Sequence, residues 1–207
     1  MSQTSTPTNE QTDRPSRRAE NKARTRQQIV DAALDLFAAH GYDDTTVDEI
    51  ARRAGISPRT FFRYFESKER VLFFGREEFF EVLVTTYLTR ADEGSDLDLI
   101  SRTFADLAPH LEQIAERISL YFRAIASSLA LRGRDRDDRV AAARTLSNAV
   151  ARRHGRSRPN LDDDLLGAIV VLLVDRALTQ WLASGARKRL APFYLAERAR
   201  LTEVTIS

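Results

Sequence analysis

Apolar residues recur with a helical period along most of the chain, and recognisable stop signals separate the segments. From Ala23 the pattern turns helical, with Ile29, Ala33, Leu36 and Phe37 on one face and Gly41 after His40 as the end signal. Val47, Ile50, Ala51 and Ala54 follow at i, i+3, i+4 and i+7. Thr46 and Glu49 stand before and within that stripe at the spacing of a capping box, which predicts a helix start near Val47. Gly55 ends this helix, because glycine enters the left-handed conformation at least cost. Ser57 and Pro58 restart the chain as N-cap and first helical residue of a short helix running to Phe65. Its Phe61 and Phe65 face inward, while Arg59, Thr60, Phe62 and Arg63 project away.

Beyond this unit Ser67 predicts the N-cap of a long helix to about Thr89, which Gly94 and Ser95 break. Asp96 to about Ala108 reads as a helix ending at Pro109. A stripe of Leu111, Ile114, Ala115, Ile118, Phe122, Ile125 and Leu129 ends near Gly133, and Asp135 to Arg153 forms another helix closed by Gly155. Asp162, Asp163 and Asp164 sit where a helix start favours negative charge, a solvated role that fits better than metal binding. Leu165 through Leu182 is apolar nearly all round and must be covered on several sides. Gly185 ends it, and a shorter helix spans roughly Leu190 to Thr202. There is no internal repeat and no period-two segment of strand length, so the fold class is all-α.

A 207-residue chain with 43% hydrophobic content can bury a sizeable core. It has no cysteine, so disulfides and thiolate metal sites are excluded. The longest apolar run, Leu165 to Val174, is shorter than a membrane span, and the polar start is unlike a secretory signal; a cytoplasmic protein without membrane insertion is expected. His40, His110 and His154 are scattered, and neither a G-x-S-x-G motif nor a glycine-rich phosphate loop occurs, so no enzyme, metal site or cofactor is expected.

The net charge of +2 says little by itself, since the basic residues, arginine at every position except Lys22, Lys68 and Lys188, are spread along the chain. Position is more informative. Arg14, Arg17, Arg18, Lys22, Arg24 and Arg26 are opposed only by Glu20, and Arg52, Arg53, Arg59 and Arg63 lie in a stretch from Ala51 to Phe65 that has no acid. Such clusters are the footprint of phosphate contacts. Two helices joined by a Gly turn, the second displaying cationic and hydrogen-bonding groups, fit recognition of the major groove of double-stranded DNA. Residues 1–20 have no aromatic residue and read as a disordered tail, although Arg14, Arg17 and Arg18 could lie along DNA as an arm. Lys68 opposes the dipole of the helix it starts, a conflict that a phosphate held there would relieve.

The run T-T-V-D-E-I-A-R-R-A-G-I-S-P-R-T-F-F-R-Y-F-E-S-K-E, preceded by Leu36 to Tyr42, resembles the N-terminal domain of TetR-family transcriptional regulators over roughly residues 24–72. The resemblance implies an N-terminal three-helix DNA-binding domain with a helix-turn-helix, and a C-terminal helical bundle for ligand binding and dimerisation. The corresponding division is a tail at 1–20, the DNA-binding domain at 21–67 and the bundle at 68–207. In this reading Thr46, Ser57, Tyr64 and Lys68 hold the DNA backbone. Pro58, Arg59, Thr60, Phe62 and Arg63 face bases or adjoining phosphates, and Arg53 joins them from the preceding helix. Phe62 departs from the tyrosine frequent in the family, which exchanges a hydroxyl contact for an apolar one. The late helices would form a homodimer interface.

Phe79, Phe104, Phe122 and Trp181 are candidates to line an apolar pocket with Arg123 or Arg176 as polar anchor; plain core is the alternative for each. The recognition stretch resembles members associated with the mycofactocin system and with acyl-CoA-like ligands. The function implied is a repressor that binds a palindromic operator as a homodimer and is released by a small apolar or amphipathic effector, acyl-CoA-like in one form. A constitutive DNA-binding or architectural protein, or an activator, is the alternative.

Overall fold

In the computed structural model, residues 17–206 are described, with side chains to Leu201. They form α1 (Arg17–His40), α2 (Val47–Arg53), α3 (Pro58–Tyr64), α4 (Lys68–Thr89), α5 (Asp96–Gln113), α6 (Ala115–Ser127), α7 (Leu129–Arg153), α8 (Leu161–Ala183) and α9 (Ala191–Ile206), with no strand among the described residues. The chain is therefore all-α.

Local chemistry sets the boundaries. Thr46 Oγ1 accepts from the amide of Glu49 at 3.2 Å and the Glu49 carboxylate accepts from the amide of Thr46 at 2.8 Å, a complete capping box at the start of α2. Ser95 with Asp98 and Asn160 with Asp163 repeat the device at α5 and α8. Gly55 at φ +69° closes α2: the amide of Ile56 donates to Ala51 O and that of Gly55 to Arg52 O. The same pair of reversed bonds closes α7 at Gly155 and α8 at Gly185.

Several expected boundaries move. α1 begins at Arg17, so residues 17–20 are helical where a tail was expected; the rest of that expectation, including Arg14, lies outside the described residues. Pro109 lies inside α5 and does not end it. The ring removes one backbone bond, but the helix is anchored on both sides by Ala108 and Leu111, buried in the bundle core. The stripe expected to run from Leu111 to Leu129 breaks at Ile114 and again at Ser128. Leu129 is 78% exposed and it is Leu131 that enters the core. Gly133 is interior to α7. At the start of α8, Asp163 is buried; its carboxylate takes two bonds from Arg156, at 2.6 and 2.8 Å, which hold it below the usual carboxylate range.

Two hydrophobic clusters organise the helices. One collects Ile29, Ala33 and Phe37 of α1, Ile50 and Ala51 of α2, Phe61 of α3 and Val71 to Phe73 of α4, and continues into Leu120, Ala124 and Ile125 of α6. The other joins Phe80, Leu83 and Tyr87 of α4 to α5, α7, α8 and α9. Burying each large apolar side chain stabilises by about 1.5–3 kcal/mol, so α4, which serves both clusters, ties the two ends of the molecule together. By length and composition α8 could cross a membrane, but half of its most apolar window is buried inside the fold, against α7 and α9.

Candidate nucleic-acid interface and bundle cavity

The head is built so that its short third helix shows one face outward. Phe61 is fully buried and meets Phe65 at 6.1 Å between ring centroids, and Phe65 in turn meets Phe74 of α4 edge-on at 5.6 Å. That packing fixes the rotation of α3 about its axis. Ser57 Oγ caps it by accepting from the amide of Thr60 at 3.1 Å, and Pro58 occupies the first turn. With Phe61 inward, Pro58, Arg59, Phe62 and Arg63 are exposed; Phe62 keeps 56% of its surface open, an unusual exposure for a phenylalanine. Thr60 and Tyr64 are half-buried at the flanks, and the Arg63 guanidinium lies 5.4 Å from the Tyr64 ring. A hydrogen bond from Thr25 of α1 holds the Tyr64 phenol below its ordinary pKa.

Two residues expected on this surface are engaged elsewhere. Arg53 is exposed but pairs with Asp35 of α1 at 2.9 Å. Lys68 turns inward: its ammonium donates to the carbonyls of Tyr42 at 2.7 Å, Thr45 at 2.8 Å and Asp43 at 3.3 Å, and lies 4.2 Å from the Tyr42 ring centroid. All three ammonium protons serve the connection between α1 and α2, so the conflict with the α4 dipole is relieved by backbone carbonyls and not by a phosphate. Sequence spacing had no means of showing these carbonyls, which converge only when α4 crosses the loop.

Residues 29–73 match the family model for bacterial regulatory proteins of the tetR family. Over these residues the head is similar to a TetR-family DNA-binding domain. It is 51% identical over 57 residues to the transcriptional regulator TcmR of Streptomyces glaucescens, covering 28% of this chain and 25% of that protein. It is 50% identical over 56 residues to the mycofactocin biosynthesis regulator MftR of Mycobacterium tuberculosis, covering 27% and 28%. The chain thus spans about a quarter of the length of these curated relatives. Beyond the head it is similar to the solved TetR-family repressor FadR of Thermus thermophilus, determined in complex with lauroyl-CoA, at 25% identity and a TM-score of 0.54, covering 86% of this chain and 93% of that one. These relatives and fold neighbours are transcriptional regulators, not enzymes.

Behind the TetR-type head lies a cavity of about 580 Å³. Its walls come from Val30 and Leu34 of α1, Leu72 to Val82 of α4, Leu107 and Leu111 of α5, Ile118 to Phe122 of α6 and Val174 to Leu178 of α8. Phe79 and Phe122, expected to line a pocket, do so. Phe104 and Trp181 do not: both are fully buried core, Phe104 stacked on Tyr194 at 4.3 Å and Trp181 donating its indole N–H to Lys188 O at 2.6 Å. Neither expected anchor reaches the cavity. Arg123 is exposed, and Arg176 pairs with Glu197 at a separate shallow recess of about 260 Å³.

The polar feature at the cavity is one that sequence reading passed over. Arg76, 9% exposed in its side chain, lies 3.1 Å from Asp175 Oδ1 and 3.3 Å from Asp135 Oδ1. Arg139 contacts the second oxygen of each aspartate at 2.8 Å, and Tyr121 donates to Asp135 at 2.7 Å. Burial pushes the Tyr121 phenol and the Asp175 carboxyl upward, with Arg76 opposing both. Removing one member of such a buried set costs about 3–5 kcal/mol, because its partner is left charged in an apolar place. The set joins α4, α6, α7 and α8, and its Arg76, Tyr121 and Asp175 also line the cavity.

Proposed function

We propose that this chain is a ligand-responsive DNA-binding transcriptional regulator of the cytoplasm, acting as a homodimeric repressor at a palindromic operator. The observation that carries the reading is a TetR-type head whose α3 presents Arg59, Phe62 and Arg63 outward, directly backed by a cavity that shares α1 and α4 with it. Arg59 makes the bidentate contact to a guanine, Phe62 an apolar contact to a thymine methyl, and Pro58, Thr60 and Arg63 meet bases or adjoining phosphates. Thr46, Ser57 and Tyr64 position the head on the backbone, and Arg53 reaches phosphate by exchanging Asp35 for it. Residues 21–67 act as the DNA-binding unit and 68–207 as the sensing and dimerising unit.

Support for dimerisation is the outward stripe of α8. Leu161, Leu165 and Leu172 are 74%, 54% and 52% exposed, with Ala168 between them, and Leu195 of α9 is 48% exposed. These apolar positions recur along one side of α8, and a second copy would cover them. Two copies would set their α3 helices about 34 Å or a small multiple apart, in successive turns of the major groove. A small apolar or amphipathic effector in the cavity moves α1 against α4 and α6 and so changes that spacing, a population shift that requires different affinities for the two states. The FadR neighbour, solved in complex with lauroyl-CoA, supports a small-molecule effector.

The test is selection of bound DNA from a random pool, followed by a metabolite screen for release of the selected site. Recovery of an inverted repeat, and its release by a compound that protects the protein against heat, is the expected result. A non-palindromic pool, or none, refutes the operator model. Leu172→Arg is expected to yield a monomer in sedimentation with operator binding lost; a dimer of unchanged affinity refutes the α8 interface.

A further inference from the structure

We propose that one side of the first turns of α1 is a second DNA surface, on which Arg18 and Lys22 hold phosphates beyond the segment met by α3. This rests on the DNA-binding role proposed above and extends its footprint. Every residue from Arg17 to Arg24 is exposed, and the first fully buried position of α1 is Ile29. Twelve residues at about 1.5 Å each carry the helix roughly 18 Å past the core of the head. Its place on the head is fixed at the next two positions. Thr25 meets the Tyr64 phenol at the end of α3, and Arg26 lies 4.9 Å from the ring of Phe74, which meets Phe65 edge-on. The projecting part of α1 therefore starts beside the helix whose outward face carries Arg59, Phe62 and Arg63.

Helical geometry sorts the charges. At about 100° per residue, Arg18 and Lys22 fall within about 60° of Thr25 and so share the side that Thr25 turns to Tyr64, while Glu20 falls about 140° away. The other acids of α1 are engaged, Asp31 with Arg117 at 3.1 Å and Asp35 with Arg53 at 2.9 Å. Among the described residues no ion pair involves Arg18 or Lys22. Lys22 is close enough to act on the Tyr64 phenol, and the Arg63 guanidinium lies 5.4 Å from the same ring, so cations of both helices flank Tyr64. Like charges gathered in this way repel, and a polyanion laid along them relieves the repulsion. Seven residues separate Arg18 from Thr25, about 10 Å of helix, which spans up to about three phosphate steps of one strand at ~3.4 Å. Contacts of this kind lengthen the bound site and add affinity without reading bases.

Fluorescence anisotropy of the full-length protein on its selected operator, at salt from about 50 to about 200 mM, tests this. Arg18→Gln/Lys22→Gln removes two cations per chain, so the slope of log affinity against log salt is expected to flatten by about 1.8 per bound chain. The same rise in salt then weakens the parent about 10-fold more than the variant, again per bound chain. Preference at every base position is expected to match the parent, and the melt to be unchanged, because both side chains are exposed. Cutting the duplex at its last base-specific position is expected to flatten the parent's slope more than the variant's. Arg187→Gln/Lys188→Gln removes equal charge from the exposed turn between α8 and α9 and is expected to keep the parent's slope. A parent-like slope in Arg18→Gln/Lys22→Gln, or an equal flattening in both variants, overturns the inference while the regulator reading stands. Equal flattening of parent and variant by the shorter duplex does the same. If no operator is selected, the regulator reading fails and this inference fails with it.

Discussion

Substituting Gly167 by alanine is expected to destabilise this protein, against the usual preference of helices for alanine. Gly167 lies in α8 where it crosses α7, and a Cβ built there would collide with the carbonyl oxygen of Ala143 and stand 2.7 Å from Ser147 Oγ. Neither neighbour can yield easily: the carbonyl belongs to the α7 backbone and the serine hydroxyl donates to that same carbonyl at 2.9 Å. Ordinary carbon–oxygen contact begins near ~3.3 Å, so α8 must retreat from the serine by roughly 0.6 Å or more, given the 2.7 Å approach. That motion loosens the layer of Ala142, Leu146, Ala149, Val170, Val171 and Val174. Overpacking against an unyielding backbone carbonyl costs about 2–3 kcal/mol, the upper part of the range for added methyl groups, and the gain in helix propensity returns only about 1. A net loss of about 1–2 kcal/mol corresponds to a fall in Tm of about 2–8 °C for a chain of this size. Gly133→Ala in α7 is the control: a Cβ there meets nothing within 4 Å, so a gain of about 0.5–1 kcal/mol is expected. Calorimetric melts of both variants at one fixed protein concentration decide the matter, since the Tm of the proposed dimer would depend on concentration. Equal or raised Tm for Gly167→Ala would refute the close crossing of α7 and α8.

Arg59→Ala is expected to weaken operator binding by about 1–3 kcal/mol and to erase preference at one base pair, read by fluorescence anisotropy on a panel of single-base operator changes; retained selectivity would sink the guanine contact. Lys68→Met is expected to lower stability by about 1–3 kcal/mol by removing the partner of Thr45 O and leaving Tyr42 O with only the amide of Thr45, with the salt dependence of DNA binding unchanged. A slope flatter by about one would restore Lys68 to the phosphate contacts. Glu49, whose carboxyl is held below its ordinary 4.5 first by the Thr46 amide and then by the Thr46 side chain, makes the α2 cap acid-sensitive. Because its folded pKa is depressed, the cap's contribution is complete above the ordinary value and is lost as pH falls through the depressed one. Glu49→Gln should therefore remove this part of the acid dependence in circular dichroism titrations, and an unchanged profile would count against it.

The sequence by itself determined what depends on neighbours a few residues apart. Thr46 and Glu49, Ser57 and Pro58, and the glycines at 55, 155 and 185 mark helix ends because a cap is a bond within one turn of chain. The inward Phe61 and outward Phe62 follow from spacing alone in the same way. Pro109 and Gly133 misled for the complementary reason: each weakens a helix locally, but Leu111 beyond Pro109, and Leu131 before and Leu146 after Gly133, are buried, and that burial outweighs the local loss. Tertiary structure decided the partners of the long polar side chains. Lys68 reaches carbonyls more than twenty positions back, and Arg76 meets an aspartate 99 positions on, pairings that periodicity cannot carry. Likewise Phe79 and Phe122 line the cavity while Phe104 and Trp181 fill the core, a difference set by which gaps remain when the helices converge. The outward side of α3 was legible in one dimension because a single short helix carries it; the cavity was not, because five helices contribute its walls.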